Sequence, residues 1–202
     1  MNILRTFLFL CGAIGFCLSE EDDAKYRLPI EVIPYSYAIK LQPFIPEGYF
    51  KGEVYIKIGV TSPVDAIYLH ASNLNISEIK IVGELENILF KIEEKYELIK
   101  IYYENGEKIL VGDQMLHFIY EGTLLHTDQM GMVKAMYPFK NETEVLVITD
   151  FQPTYARRAY PCFDEPAMKA IFNVTIITPN SSWVALSNAE EIVSTLSNIQ
   201  IY

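Results

Sequence analysis

The sequence predicts an all-β domain made of antiparallel sheets packed as a sandwich. Apolar and polar residues alternate with a period of two along many short runs, and turn-forming residues separate these runs. The runs do not alternate with helical segments, as they would in a parallel sheet. Half of the 202 residues are hydrophobic, so the chain can bury the core of one domain.

The clearest strands lie in the first third of the chain. Residues 35–41 alternate, and one face of this strand carries four apolar side chains: Tyr35, Tyr37, Ile39 and Leu41. Residues 52–60 alternate in the same way, and their apolar face carries Val54, Ile56, Ile58 and Val60. Both runs therefore predict strands with one face in the core and the other in solvent.

Shorter strands follow along the rest of the chain. They are predicted over residues 66–70, 76–82, 88–92, 96–103, 108–111, 115–120, 145–149, 170–178 and 183–186. Asn105-Gly106 marks a turn between two of them. A short helical turn is predicted near residues 154–160, and residues 167–170 are a second candidate.

The first 19 residues have the pattern of a secretory signal peptide. Arg5 supplies the positive charge, residues 6–18 are apolar, and Cys17 and Ser19 are small residues before a cleavage point. We expect residues 20–25 to form an acidic mature N-terminus and residues 26–202 to form the β-domain. The alternative is an uncleaved membrane anchor, for which the apolar run is shorter than the ~20 residues that a spanning helix needs.

If the chain is exported, this has consequences for disulfide formation by its cysteines and for glycosylation of four asparagines. Only Cys162 remains after cleavage, so an internal disulfide is excluded; we expect a buried apolar role for it, with a reactive thiol as the alternative. Four Asn-x-Ser/Thr triplets are predicted glycosylation sites at the surface: Asn75, Asn141, Asn173 and Asn180.

Charge and motifs exclude several classes of function. The net charge of −10 and the lack of a basic stripe argue against nucleic-acid binding. His70, His117 and His126 are not part of an H-E-x-x-H pair, so the sequence predicts neither a zinc site nor metal ligands. No nucleophile elbow or other recognisable catalytic motif is present, and we therefore assign no catalytic residue.

Residues 149–169, TDFQPTYARRAYPCFDEPAMK, contain most of the unusual chemistry of the chain. Asp150 and Gln152 are expected on one face of a strand end, opposite Phe151. Thr154 is expected to cap the following turn. Arg157 or Arg158 is expected to pair with a downstream carboxylate, and the alternative is that these charges are solvated.

The second half of this segment predicts a stiff loop. Pro161 and Pro166 bracket four residues that complete the loop: Cys162, Phe163, Asp164 and Glu165. For the arginines, the candidate partner in this loop is Asp164. A stiff, charge-paired loop beside a strand end suits the wall of a binding cleft.

The stretch ARRAYPCFDEP, which follows TDFQP, resembles the hallmark of the aminopeptidase N family of zinc aminopeptidases. Further similarities lie at YRLP (26–29), PYSY (34–37), FKGEV (50–54), GMVK (131–134) and ALSN (185–188). The resemblance covers nearly all of residues 26–188.

This resemblance implies a saddle-like N-terminal β-sandwich domain that closes one end of the active-site cleft of a catalytic domain. It implies that Asp150 and Gln152 help to hold the free α-amino group of a peptide substrate. Asp150 departs from the usual glutamine and Val133 from the usual tyrosine. The zinc ion belongs to the catalytic part of the family enzymes, so we expect no cofactor in this chain.

The chain lacks the family's Gly-Ala-Met-Glu-Asn and H-E-x-x-H motifs. We expect the domain's last strands to be missing and residues 199–202 to begin a strand without a partner. One hypothesis is the N-terminal part of a secreted or surface aminopeptidase, inactive alone, with membrane association through a missing C-terminal anchor or an uncleaved N-terminal segment. The alternative is a stand-alone secreted glycoprotein module that binds a peptide or a partner protein; an unrelated adhesion-type sandwich fits the hallmark less well.

Overall fold

The computed structural model describes residues 26–85, 87–192 and 199–202. The predicted signal peptide (1–19) and acidic N-terminus (20–25) lie outside these residues. Across the described ranges, no helix combines the length and apolarity that crossing a bilayer requires.

Eleven strands and two 3₁₀ turns make up the regular structure of the described residues. The 3₁₀ turns are Glu94–Tyr96 and Ala156–Arg158. The strands are β1 (Val32–Phe44), β2 (Tyr49–Val60), β3 (Ile67–His70), β4 (Leu74–Ile81), β5 (Ile88–Glu93), β6 (Leu98–Tyr103), β7 (Gly112–Thr123), β8 (Gly131–Phe139), β9 (Glu142–Asp150), β10 (Ile171–Ile177) and β11 (Ile199–Ile201).

The strands form three sheets, and the predicted all-β fold is confirmed. The largest sheet has six strands in the order β11-β10-β1-β2-β7-β4, the second has the order β3-β6-β5, and β8 and β9 form a hairpin. Every pair is antiparallel except β1 and β10, which are parallel. That pair joins strands far apart in the chain, and local patterning does not predict it.

The core lies where the inner face of the six-stranded sheet packs on the sheet of β3, β5 and β6. The predicted apolar face of β2 is buried, as are the facing residues of β7 and of β3 and β6. Fully buried side chains from the two sheets include Phe50, Ile56, Phe118, Ile67, Ile99 and Ile101. This core places the β9–β10 connection along one side of the sandwich.

The predicted face of β1 is correct for Tyr37, Ile39 and Leu41 but wrong for Tyr35. The pairing of β1 with β2 shifts between Pro34 and Ser36, so Tyr35 is the extra residue of a β-bulge. The bulge interrupts the alternation and turns Tyr35 to the solvent face, where 43% of its surface is exposed.

Two predicted strands do not form. Within residues 108–111, Ile109 makes only an isolated bridge to Val64. Within residues 183–186, the backbone of Ala185 bonds to side chains instead of a neighbouring strand: its N–H donates to Gln200 Oε1 (2.5 Å) and its carbonyl accepts from Tyr202 Oη (2.6 Å). A strand needs a continuous ladder of backbone pairs, and neither segment has more than a single such pair in the described part of the chain.

The expectation that residues 199–202 form a strand without a partner is also wrong. β11 pairs antiparallel with β10, with Ile201 opposite Thr175. The strand that sequence patterning missed is β8, because Gly131 and Pro138 lie within it and disguise its alternation.

Candidate functional site

The candidate site is built on the end of β9 and the connection to β10. The side chains of Asp150 and Gln152 are both exposed, and Gln152 N donates a hydrogen bond to Asp150 Oδ1 over 3.4 Å. Phe151 is half-buried, and its ring packs edge-on against Tyr160 at 5.9 Å between centroids. The strand end therefore presents two polar side chains to solvent, and the contact between Phe151 and Tyr160 holds it against the core.

A tight turn follows the strand end. The Gln152–Pro153 peptide bond is cis, and Tyr155 N donates to Phe151 O over 2.9 Å. The 3₁₀ turn Ala156–Arg158 lies inside the predicted helical region. The predicted cap by Thr154 is wrong, because the residue before the 3₁₀ turn is Tyr155 and no side-chain bond caps the turn.

Arg157 points inward and is only 6% exposed. Its Nε donates to Asp164 Oδ2 and its Nη1 donates to Glu97 Oε2, each over 2.9 Å. Of the alternatives that the sequence left open, the structure therefore selects a buried Arg157–Asp164 pair. Burying a guanidinium is tolerated because two carboxylates compensate its charge.

Glu97 is the partner that sequence reasoning missed. It lies 60 residues before Arg157 and adopts a left-handed backbone conformation (φ 54°) after the first 3₁₀ turn. Ser72 contacts both residues of the pair: its Oγ donates to Glu97 Oε1 over 2.7 Å and its N donates to Arg157 O over 2.9 Å. Arg157 thereby ties the connection to the small sheet of β3, β5 and β6.

Arg158 is partly buried, with 16% of its side chain exposed, and it holds the base of the β8–β9 hairpin. Its Nη1 donates to both oxygens of Asp128, at 2.7 and 3.0 Å, and its guanidinium lies 4.6 Å from the ring centre of Tyr155. The hydrogen bond from Arg158 holds the pKa of Asp128 below its usual range. Arg158 Cβ would lie 2.9 Å from a Cβ at Gly131, which pairs with Asp150.

The loop bracketed by Pro161 and Pro166 is tied to the sandwich at three points. Cys162 and His70 exchange backbone hydrogen bonds of 2.8 and 3.0 Å. Phe163 N donates to Tyr37 Oη over 3.1 Å, and Glu165 accepts from Leu28 N over 2.6 Å. Since these bonds join the loop to β1, to β3 and to the segment before β1, the loop is held in place beside the strand end.

Cys162 is buried, and burial raises the pKa of its thiol well above the ordinary value, with Asp164 adding to the effect. A thiol that stays protonated at neutral pH is a poor nucleophile. Of the two roles considered from the sequence, the structure supports the buried apolar one.

The three histidines do not converge. His70 is buried, with its Nε2 3.3 Å from Tyr26 O, and His117 Nε2 lies 3.1 Å from Glu53 Oε1 while its ring stacks on Tyr55. His126 lies beside Arg158, and burial lowers the pKa of its ring. In the described part of the chain, no group of three or more His, Cys, Asp or Glu residues could hold a metal ion.

All four asparagines of the predicted glycosylation triplets are exposed. Asn141 lies in the two-residue loop of the β8–β9 hairpin, Asn180 follows β10, and Asn75 and Asn173 lie within β4 and β10. Exposure is a precondition for modification, and glycosylation itself stays a prediction.

Comparison with known proteins identifies relatives across the same residues. Residues 33–201 match the family described as Peptidase M1 N-terminal domain. The chain is 32% identical to Aminopeptidase M1-B of Oryza sativa subsp. japonica over 180 residues, which is 88% of this chain and 20% of that protein. It is 29% identical to Glutamyl aminopeptidase of Sus scrofa over 184 residues (86% and 19%) and 31% identical to Aminopeptidase N of Bos taurus over 178 residues (81% and 18%). The chain thus spans about a fifth of the length of these relatives.

Proposed function

The chain belongs to the peptidase M1 N-terminal domain family, and from this premise we propose that it is the substrate-amine-recognising domain of a secreted or cell-surface zinc aminopeptidase. In this role it lies against a catalytic domain and helps to position the N-terminus of a peptide. It supplies binding and orientation, and it holds no reacting group of its own.

The observation that carries this proposal is the exposed polar pair at the end of β9. Asp150 and Gln152 are free to meet a ligand, while the residues around them are anchored by Phe151, Arg157 and Arg158. An ammonium group donates three hydrogen bonds, and a carboxylate beside an amide oxygen can accept them. Acceptors that are already held in place reduce the entropic cost of ordering the site when a substrate binds.

Asp150 changes the electrostatics of such a contact. A carboxylate accepts hydrogen bonds from an ammonium group more strongly than a neutral amide does, because the bond is charge-assisted. We therefore expect the negative charge of Asp150 to strengthen amine binding, which distinguishes this chain from relatives with glutamine at this position.

The purified chain from Glu20 to Tyr202 should neither bind zinc stoichiometrically nor release N-terminal amino acids. The physical reason is that the described residues lack a ligand set for the metal. Atomic absorption after gel filtration and a fluorogenic aminoacyl substrate measure the two properties. Metal-dependent cleavage by the clean chain would contradict the prediction.

Full-length transcripts distinguish this function from a stand-alone glycoprotein module. If the open frame continues into Gly-Ala-Met-Glu-Asn and H-E-x-x-H, the long product can be expressed, and Asp150→Ala should raise its KM with a smaller effect on kcat. An unchanged KM would contradict the proposed role of Asp150, and a confirmed stop after Tyr202 would favour the module.

Export and glycosylation belong to the same proposal. The apolar run of residues 6–18 and the exposed positions of Asn75, Asn141, Asn173 and Asn180 support it. Treatment of the protein from secreting cells with an N-glycosidase tests it, since a fall in apparent mass is expected.

A further inference from the structure

The chain from residue 150 to residue 158 leaves the end of β9, turns, and returns to the start of β8. Asp150, the last residue of β9, lies directly opposite Gly131, the first residue of β8. The hairpin loop has positive φ at both of its residues, Lys140 (46°) and Asn141 (70°), as a type I′ turn requires. Counting by twos from the pair that closes this loop, Gly131 and Asp150 form a pair that exchanges backbone hydrogen bonds. The start of β8 therefore fixes the backbone of Asp150.

Arg158 brings the connection back to the same place. A Cβ on Gly131, whose φ is +92°, would lie 2.9 Å from Arg158 Cβ, so glycine allows the two backbones to approach closely. Arg158 Nη1 donates to both oxygens of Asp128, and Asp128 Oδ1 also accepts from Met130 N over 3.2 Å. Arg158 thereby joins the end of the connection to the segment that leads into β8.

These contacts close a ring around the polar pair Asp150 and Gln152. Gln152 N donates to Asp150 Oδ1 over 3.4 Å, and Tyr155 N donates to Phe151 O over 2.9 Å in the turn that follows. The guanidinium of Arg158 lies 4.6 Å from the ring centre of Tyr155. Removing the Arg158 side chain would open the ring between this turn and β8, and the polar pair would lose one of its two supports.

His126 adds a titratable group to this cluster. Among the described residues, its Nε2 is buried without a hydrogen-bond partner, and so is Nε of Arg158. A neutral imidazole nitrogen can accept a hydrogen bond from a guanidinium, whereas an imidazolium can only donate.

Two charged groups act on His126: Arg158 from the connection and Asp128 from its own loop. Burial and the charge of Arg158 lower the pKa of His126, and the charge of Asp128 opposes them. His126 is therefore neutral at pH 7. Its protonation would place a second positive charge beside Arg158, and this charge would compete with Arg158 for Asp128.

We propose that the Arg158–Asp128 ion pair positions the polar pair at the end of β9 for a peptide amine, and that protonation of His126 loosens this ion pair. Arg158 is then a positioning residue, which acts through β8 and the turn. The ion pair is intact while His126 is neutral, above about pH 6.5, and weakens as the pH falls through the lowered pKa of His126. The inference rests on the proposed amine-recognition function and adds its regulation by pH.

Hydrogen exchange of the purified chain tests the positioning without a ligand. The amides of Asp150 and Tyr155 should exchange roughly ten times faster in Arg158→Met, which keeps a long side chain but cannot donate. Arg158→Lys should restore slow exchange, because both bonds to the carboxylate come from the single nitrogen Nη1 and an ammonium can replace it. The control Lys57→Met breaks an ion pair with Asp113 (2.9 Å) outside this site and should leave both amides unchanged.

The pH dependence isolates His126. Comparing the unmodified chain with His126→Gln at the same pH cancels the intrinsic pH dependence of exchange and the titration of other groups. The Asp150 amide should exchange equally in both at pH 7.5, and roughly three times faster in the unmodified chain at pH 5.0. His117→Gln is the matched control, since it removes a histidine that contacts Glu53 on another part of the sheet, and it should behave as the unmodified chain.

Amine binding is measured on the same proteins with alanyl-alanine amide as the probe and its N-acetylated form as the blank. NMR shifts of the Gln152 side-chain amide report binding. Arg158→Met should bind the free-amine probe roughly five times more weakly at pH 7.5, and Arg158→Lys should bind it within about twofold of the unmodified chain. The urea midpoint of Arg158→Met should stay close to that of the unmodified chain, so that weaker binding is not unfolding.

The outcomes separate this inference from the function on which it rests. If the unmodified chain binds the free and acetylated probes equally, amine recognition fails, while the exchange data still decide whether Arg158 holds the strand end. If the free-amine probe binds but Arg158→Met binds it equally well, the positioning role is overturned and amine recognition stands. Equal Asp150 exchange in the unmodified chain and His126→Gln at pH 5.0 would overturn the role of His126.

Discussion

At the residue scale, the two adjacent arginines have different environments. Arg157 is enclosed and contacts two carboxylates, whereas Arg158 is partly buried and contacts the half-exposed Asp128 and the ring of Tyr155. The sequence identifies both arginines as candidates for pairing with Asp164, because their distances from Asp164 along the chain differ by only one position. Only the direction of the 3₁₀ turn assigns the inward position to Arg157.

This difference predicts that removing the carboxylate of Asp164 and removing that of Asp128 lower the free energy of unfolding by unequal amounts. Asp164→Ala should lower the free energy of unfolding by about 3 kcal/mol, because it leaves a buried guanidinium with one partner. Asp128→Ala should have a much smaller effect, since solvent and salt screen exposed pairs. Urea unfolding followed by circular dichroism measures both, and equal losses would show that Arg157 does not need Asp164.

At the element scale, close packing between β2 and β7 depends on glycine. A Cβ at Gly52 would overlap the ring of Tyr120, which is 1% exposed, and a Cβ at Gly59 would overlap the ring of Tyr35, which is 43% exposed. The two glycines lie in the same strand, but only one of them faces a side chain that is enclosed by the core.

Gly52→Ala should therefore destabilise the domain by about 1–3 kcal/mol, the usual cost of overpacking a core. Gly59→Ala is the matched control, and its effect should be smaller because Tyr35 can swing into solvent. Thermal unfolding of the two variants beside the unmodified chain gives the comparison. A larger loss for Gly59→Ala would contradict this account of the packing.

At the scale of the whole molecule, the reactivity of the cysteine thiols can report on two properties. One is whether the domain has unfolded, and the other is whether the predicted signal peptide has been removed. The Cys162 thiol is enclosed between the sandwich and the PCFDEP loop, whose backbone bonds to His70 hold the loop in place. Local opening that exposes the thiol would have to break these bonds and the contacts of Arg157 as well. Cys11 and Cys17 lie within the predicted signal peptide.

If the signal peptide is removed as proposed, the chain should show no thiol that reacts rapidly with a disulfide reagent under native conditions, and one thiol per chain in concentrated urea. Burial raises the pKa of Cys162, which lowers the population of the reactive thiolate further. A colorimetric thiol assay gives both counts. Three thiols in urea would show that the signal segment is retained, and a fast native reaction would show that the loop opens locally.

Most of the fold and part of the candidate site could be predicted from local patterns. Alternation predicts β2 well because its pairing is regular, and it fails at Tyr35 because a bulge depends on the neighbouring strand. The turn and the loop after β9 follow from their prolines and arginines. Glu97 could not be predicted, because its contact with Arg157 spans 60 residues and has no local signal.

The sequence by itself determined the all-β class, the family and the exposed polar pair Asp150 and Gln152, since each depends on residue types within a short window. The tertiary structure alone decided which arginine is buried, that β10 joins β1 in parallel and that β11 pairs with β10. The physical reason is that these features depend on which distant backbones meet. Burial and hydrogen bonding between remote segments, summed over the whole core, select that arrangement.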